Sequence, residues 1–236
     1  MKKILLMASV LLMVSCAELK NIANNLPAIL EQPVSNLDIA NGLKAALDKG
    51  IDKEVAKLTQ KNGFYSNELV RIALPAELKK VDETLRRFGL GDLADKGIKA
   101  LNATASDAVK TATPIFVDAV KNITFNDART ILMGDKKAAT TYLENTTSDK
   151  LYASFNPVIK KSFDKVGADK IWTQLITKYN QIPFITKVNP DLTDYVTQQA
   201  LDGVYTMIAI EEQKIRTDIG ERSSALLQKV FALQDK

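Results

Sequence analysis

The chain has no histidine and a single cysteine in 236 residues. Without imidazole there is no Ser-His-Asp triad, no histidine general base and no histidine-ligated zinc. One cysteine, Cys16, makes neither an internal disulfide nor a thiolate metal cluster. Glycine is sparse, at 10 residues, and Gly89-Leu90-Gly91 lacks the Lys-Ser/Thr continuation of a phosphate-binding loop and follows a helical segment. Serine-lysine acyl chemistry lacks its spacing: Ser148-Asp149-Lys150 is too short, and Ser154 meets Pro157 where a lysine is needed. There is no block of one charge, because 32 Lys and Arg interleave with 28 Asp and Glu. A nucleic-acid partner therefore has no electrostatic footprint. The chemistry that remains open is that of carboxylates, lysines and oxygen-ligated metals, and no cofactor or metal is expected.

What is present begins at the amino terminus. Met1-Lys2-Lys3 leads into an apolar run from Ile4 to Val14, interrupted only by Ser9 and followed by Ser15-Cys16-Ala17. A basic start and a short apolar run are the parts of an export signal. The run is too short for a transmembrane helix, which needs about 20 apolar residues. Leu12-Met13-Val14-Ser15-Cys16-Ala17 resembles a bacterial lipobox, whereas the plainer reading is a secretory signal with an incidental cysteine. The lipobox resemblance implies cleavage before Cys16, lipidation of its thiol and acylation of the new amino terminus. By the same resemblance, Ala17 rather than Asp after the cysteine favours the outer membrane, with the body facing the periplasm. Loss of Lys2 and Lys3 with residues 1–15 lowers the formal charge from +4 to +2.

Residues 16–37, with Asn24-Asn25, Pro27, Pro33 and Asn36, read as the lipidated end and a tether. From residue 38 to residue 236 the spacing predicts one all-α domain, an irregular bundle of about eight to ten helices. Ile39, Leu43, Ala46, Leu47, Ile51, Val55 and Leu58 form one apolar stripe that ends before Gly63. Further helices are expected from Pro75 to Gly89, Gly91 to Thr111 and Ile115 to Val120. Asp127 to Met133 should follow a cap at Thr124 or Asn126. The spacing then predicts Asp135 to Glu144, Ser148 to Val166 and Ala168 to Tyr179. The longest helix is expected from Asp191 or Leu192 to Thr217, with Ser223 to Phe231 last. Phe184 to Val188 is the one extended candidate, and it has no partner strand.

Three stretches carry a family resemblance. They are Phe125-Asn126-Asp127-Ala128-Arg129-Thr130-Ile131-Leu132-Met133-Gly134 with Ala138 to Leu143, then Asn156-Pro157-Val158 leading to Val166-Gly167, and the long run from Asp194 to Arg216. With the closing Leu226 to Phe231 they resemble an uncharacterised family of exported bacterial proteins, the domain of unknown function 4197, over roughly residues 38 to 232. The resemblance implies an all-helical fold and a place in the cell envelope, and no reaction. Ile210 departs from the family pattern, where an acidic residue is usual.

The best polar constellation lies in the run that ends at Thr217. At ~100° per residue, Glu212 falls about 20° from Leu201, inside the stripe of Leu201, Val204, Tyr205, Ile208 and Ile215. Glu211 and Arg216 fall on the borders of that stripe, and Arg216 follows Glu212 by one turn. A carboxylate on a core-facing stripe is paired, protonated or ligating, because burying it alone is costly. Its partner is expected to be Arg216 or a neighbouring helix end; a ligand contact or acid-base chemistry are the alternatives. Asp127 reads as an early-turn acid interacting with the free amides of its helix. If Arg129 folded back onto Glu211 or Glu212, the two matched regions would share one ionic cluster. Aromatic residues, from Tyr142 and Tyr152 to Trp172, Tyr195 and Tyr205, concentrate in the second half and read as core.

The resulting expectation is a non-enzymatic envelope lipoprotein, held by Cys16, whose body acts as a structural, adaptor or partner-binding domain. One alternative is a carrier of a lipid or hydrophobic small molecule, which requires an apolar cavity. A carboxylate-based or metal-dependent hydrolase is the other, and it requires carboxylates converging in an open cleft.

Overall fold

A computed structural model describes residues 33–235, apart from residues 88, 90, 167, 182, 185, 186 and 188–190. The expected signal segment, Cys16 and the expected tether up to residue 32 lie outside the described residues. The first helix, α1 (Asn36–Leu58), starts at Asn36 rather than at Asp38. Ser35 is its N-cap: the hydroxyl accepts from the Asp38 amide, and the Asp38 carboxylate accepts from the Ser35 amide, each at 3.0 Å. That reciprocal pair satisfies two amides a helix start leaves free. Asp38 is thus the fourth residue of the cap motif, and the helix begins before it. The stripe read from the sequence is the buried face of α1.

Residues 59–75 have no regular structure, and a buried amide holds them to the body. Asn102, 1% exposed, accepts from the Ile72 amide at 2.8 Å and donates to the Ile72 carbonyl at 2.9 Å. The helices that follow are α2 (Ala76–Arg87), α3 (Gly91–Val109), α4 (Ala112–Lys121), α5 (Phe125–Leu132), α6 (Ala138–Val166), α7 (Ala168–Asn180), α8 (Thr193–Thr217) and α9 (Ala225–Phe231). With 3-10 turns at 219–221 and 232–234, they make an all-α bundle without a strand among the described residues. Phe184 stands in a turn with φ 65°; most of the Phe184 to Val188 stretch lies outside the described residues.

One expected break is absent. Asp135 to Glu144 and Ser148 to Val166 do not form two helices, because α6 runs unbroken for 29 residues and is longer than the 25-residue α8. The Asn145-Thr146-Thr147-Ser148 run reads as a helix start in sequence. In the fold the Thr146, Thr147 and Ser148 hydroxyls bond back to carbonyls of the preceding turn, at 2.8, 2.6 and 2.6 Å. Those back-bonds satisfy the hydroxyls without ending the helix.

Helices α6 and α8 pack along each other at the centre. α3 lies against both, α1 packs on α8, α4 and α5, and α9 covers α1. One contiguous apolar core runs through all of these contacts. On α8 the buried Tyr205 packs edge-on against Phe116, with centroids 6.0 Å apart. Its hydroxyl meets that of Thr147 at 2.7 Å, so a polar tip in the core keeps a partner.

One close contact in this centre sets a helix against a ring. A Cβ added at Gly203 on α8 would lie 2.6 Å from Cε1 of the fully buried Phe64. Gly203→Ala should therefore lower stability by about 1–3 kcal/mol, the range of overpacked cores, despite the better helix propensity of alanine. Urea unfolding of the two proteins checks this, and an unchanged or raised midpoint would show that Phe64 yields freely.

Candidate functional site

The polar centre is built on α8 and reaches two other helices. Glu212 and Arg216 are 7% and 8% exposed and pair one turn apart, with Arg216 Nε 2.9 Å and Nη2 2.7 Å from Glu212 Oε1. The carboxylate also accepts from the Ala139 amide at 2.9 Å, the Thr140 amide at 2.8 Å and the Thr140 hydroxyl at 2.7 Å. These are the first-turn amides of α6. The residue before α6 is Lys137, which has no side-chain oxygen to cap them. Glu212 supplies that cap from a different helix. Arg216 does the converse at the end of α5, donating from Nη1 to the Leu132 carbonyl and from Nη2 to the Ile131 carbonyl, each at 2.9 Å.

The arrangement matches charge to helix polarity. A carboxylate sits at the positive start of α6 and a guanidinium at the negative end of α5. The turn that joins them is close-packed: a Cβ on Gly134 would lie 2.6 Å from the Ala138 Cβ and 3.0 Å from the Thr130 carbonyl oxygen. A larger residue there would force α5 and α6 apart.

Glu211 was expected on the border of the stripe, but it is 2% exposed. It lies against α1 at Gly50, where an added Cβ would be 3.5 Å from the Glu211 Cγ, an ordinary van der Waals contact. Its Oε1 takes the Lys53 ammonium at 2.5 Å, while Oε2 has no hydrogen-bond partner and lies 3.9 Å from Lys214 Nζ. The contact with Glu211 also pushes the Lys53 pKa up. Glu54 has a similar position on α1, bonded to Lys57 at 2.6 Å through one oxygen and buried without a partner at the other.

The expected ionic link from Arg129 does not form. Arg129 is exposed on α5 and makes no ion pair with Glu211 or Glu212; the helix contributes its Ile131 and Leu132 carbonyls instead. A side chain leaving the outer face of an eight-residue helix cannot serve its inner end, and Arg216 occupies that place. Asp127 behaves as its sequence position suggested. Its carboxylate accepts from the Thr124 amide at 3.0 Å and the Thr124 hydroxyl at 2.7 Å, while the Asp127 amide donates back to that hydroxyl. These bonds hold the Asp127 carboxyl below its ordinary pKa of 3.8.

A second arginine was not singled out from sequence. Arg222, 2% exposed, donates to the Ile215 and Arg216 carbonyls at 3.0 Å each and to both Asp235 oxygens at 2.5 and 2.7 Å. It caps the end of α8 and binds the last residues of the chain to it. Nothing in the local spacing around Arg222 marks it, because its partners are main-chain carbonyls and a residue beyond the last helix.

Beside this centre the space between α1, α8 and α9 amounts to about 20 Å³, lined by Leu47, Glu211, Ile215, Arg216 and Phe231 among others. That is room for about one water. Among the described residues no group of three or more His, Cys, Asp and Glu side chains is placed to hold a metal.

A protein-family model described as Protein of unknown function (DUF4197) matches residues 33–232. No curated protein and no solved structure matches the chain.

Two outcomes test the polar centre. Glu212→Met leaves Arg216 buried without its counterion and should cost about 3–5 kcal/mol. The Glu212→Met, Arg216→Met double variant should lose less than the sum of the single losses, by roughly 0.5–3 kcal/mol. Denaturant unfolding of the four proteins gives both numbers, and strict additivity would mean that the pair is not coupled. The Asp127 cap has a pH signature. Because its folded pKa lies below 3.8, its contribution is full above that pH and is lost as pH falls through the folded value. Asp127→Asn should therefore flatten part of the stability loss below about pH 4, read by thermal melts from pH 6 to pH 2.5; an unchanged acid limb would remove Asp127 from it.

Proposed function

The chain belongs to the DUF4197 family, and from that premise we propose that it acts as a lipid-anchored envelope protein whose helical body is an adaptor for a partner protein. The observation that carries the adaptor reading is how the central charges are used. All three Arg216 nitrogens and both Glu212 oxygens are bonded to each other, to main-chain groups or to the Thr140 hydroxyl. No atom of the pair is left over for a substrate. The neighbouring space of about 20 Å³ is also far below the roughly 300–1,000 Å³ of a small-molecule site, which favours the adaptor over a carrier of hydrophobic molecules.

The anchor is supported by the order of basic start, apolar run, small residue and Cys16, and a lone thiol in an oxidising compartment is a liability that acylation removes. Among the described residues no helix is long and apolar enough to cross a membrane. Two or more acyl chains anchor stably, where one holds only reversibly. The chain between Cys16 and the Ser35 cap spans at most about 65–70 Å when fully extended, enough for the body to meet a partner away from the bilayer. On that body Phe125, the first residue of α5, and Met133, its C-cap, are each 56% exposed and flank the exposed Arg129 at helical spacing. An aromatic, an arginine and a methionine on one exposed face are the residue types enriched at protein interfaces.

Growth of the source bacterium with labelled palmitate provides the test. The native chain should carry label and sediment with outer membranes, and Cys16→Ser should be unlabelled and soluble in the periplasm. An unlabelled native chain would overturn the anchor and the adaptor geometry built on it.

A further inference from the structure

We propose that the open cleft between residues 71–74, α2 and α3 is a binding site for a small amphipathic anion, one with a carboxylate or phosphate head and a short apolar body. The cleft has a volume of about 240 Å³ and is lined by Arg71, Ala73, Leu74, Lys79, Asp82 and Ile98. It is separate from the Glu212 centre and does not depend on the anchor. Its size suits a head group with a few carbon atoms rather than a long acyl chain.

The charges around the cleft are unequally used. Asp82 is the one acid in the lining, and both its oxygens accept from Arg86 Nε at 3.0 Å. Arg86 in turn reaches Asp95 with Nη2 at 2.5 Å. This Asp82-Arg86-Asp95 chain satisfies the acid locally and leaves Lys79 and Arg71 as the cations facing the space. Among the described residues neither of the two is within salt-bridge distance of an acid, and Arg71 lies near enough to Asp95 to help lower that carboxyl's pKa. The charged side chains of the lining leave one net positive charge, and a concave surface whose net charge is of one sign concentrates ions of the opposite sign.

Arg71 is also held in place before any ligand arrives. Its guanidinium carbon stands 4.3 Å from the centroid of the Tyr65 ring, a stacking that orients the plane of the group. Its amide donates to the Asn67 carbonyl at 2.8 Å, and the next residue, Ile72, is clamped through both main-chain groups by the buried Asn102. A planar guanidinium with a fixed orientation suits the two oxygens of a carboxylate or phosphate. Lys79, on the facing helix, adds a mobile point charge. Leu74 and Ile98 form the apolar part of the lining, so the site offers a charged side to a head group and an apolar side to a short tail. Sites of this composition, largely apolar with a few placed polar groups, fix both the orientation and the class of ligand.

The test is amide NMR on the full mature chain carrying Cys16→Ser, titrated in parallel with hexanoate, hexyl phosphate, inorganic phosphate and hexanol. Saturable shifts at Arg71, Ala73, Lys79 and Ile98 are expected with hexanoate or hexyl phosphate, weaker shifts with inorganic phosphate and none with hexanol. Which of the two hexyl anions binds tighter distinguishes a carboxylate ligand from a phosphate one. Arg71→Gln and Lys79→Gln, both at exposed positions, should each weaken binding about tenfold, the loss of one charge-assisted contact. Absence of saturable shifts with every anion would overturn the proposal, as would equal binding of hexanol or binding unchanged by both substitutions. The Cys16→Ser background separates this result from the anchor and the adaptor role.

Discussion

A single ion pair on α8 completes the ends of two other helices. Helix starts expose amides and helix ends expose carbonyls, and in a bundle with short turns many of these fall inside, where water cannot serve them. At the α5–α6 turn the protein answers with Glu212 for the amides of Ala139 and Thr140 and Arg216 for the carbonyls of Ile131 and Leu132. The two charges face helix ends of opposite polarity, so each is stabilised by its partner, by hydrogen bonds and by the local dipole. A bare buried ion pair is weak evidence of stability. A pair whose remaining hydrogen-bonding groups meet helix ends is different, because removing it leaves main-chain groups unsatisfied on two other elements.

The rest of the packing follows from fixing that turn. Gly134 brings the end of α5 against the start of α6, and once α6 begins at a fixed height its hydroxyl-rich middle meets Tyr205 of α8 at Thr147. The Thr and Ser back-bonds let α6 continue through a stretch that would otherwise end it. Gly203 then admits Phe64 against α8, and Glu211 lies against α1 beside Gly50. Arg222 closes the system from the other side by tying the end of α8 to Asp235. Charged groups and small residues thus set where the helices touch, and the apolar stripes fill the space between.

The apolar period of α1, the cap at Thr124 and the buried place of Glu212 were legible in the sequence, because each depends on neighbours within a few residues. Arg216 was legible as the partner of Glu212 for the same reason. Its reach to α5 was not, since those carbonyls lie some 84 positions away and any arginine of similar length competes for them on paper. Arg129 was such a competitor, and the geometry of a short helix excludes it. Glu211 looked like a border residue because spacing on one helix carries no information about which helix packs over its edge. The split of α6 was misplaced for a related reason: Thr and Ser favour helix starts in isolation, and only the surrounding turns decide whether their hydroxyls cap or bond backward. The cleft at Arg71 had no sequence signal, because its lining comes from an irregular segment and two helices.

How the charges are allocated separates architecture from candidate function in this fold. In the interior, Glu212, Arg216 and Arg222 are saturated by groups of the protein itself, as burial requires. On the surface that requirement lapses, since water can serve an exposed cation at little cost. Exposure alone therefore says nothing about a role for Lys79; its surroundings do. An acid stands in the same lining, yet both its oxygens are directed to Arg86, which leaves the cleft positive beside an apolar wall. Arg71 is oriented by Tyr65 and by the Asn102 clamp rather than left to wander. Fixing an arginine in place restricts its side chain and gains little in stability when the group stays exposed. The same restriction lowers the cost of binding an anion, because the ordering has been done in advance.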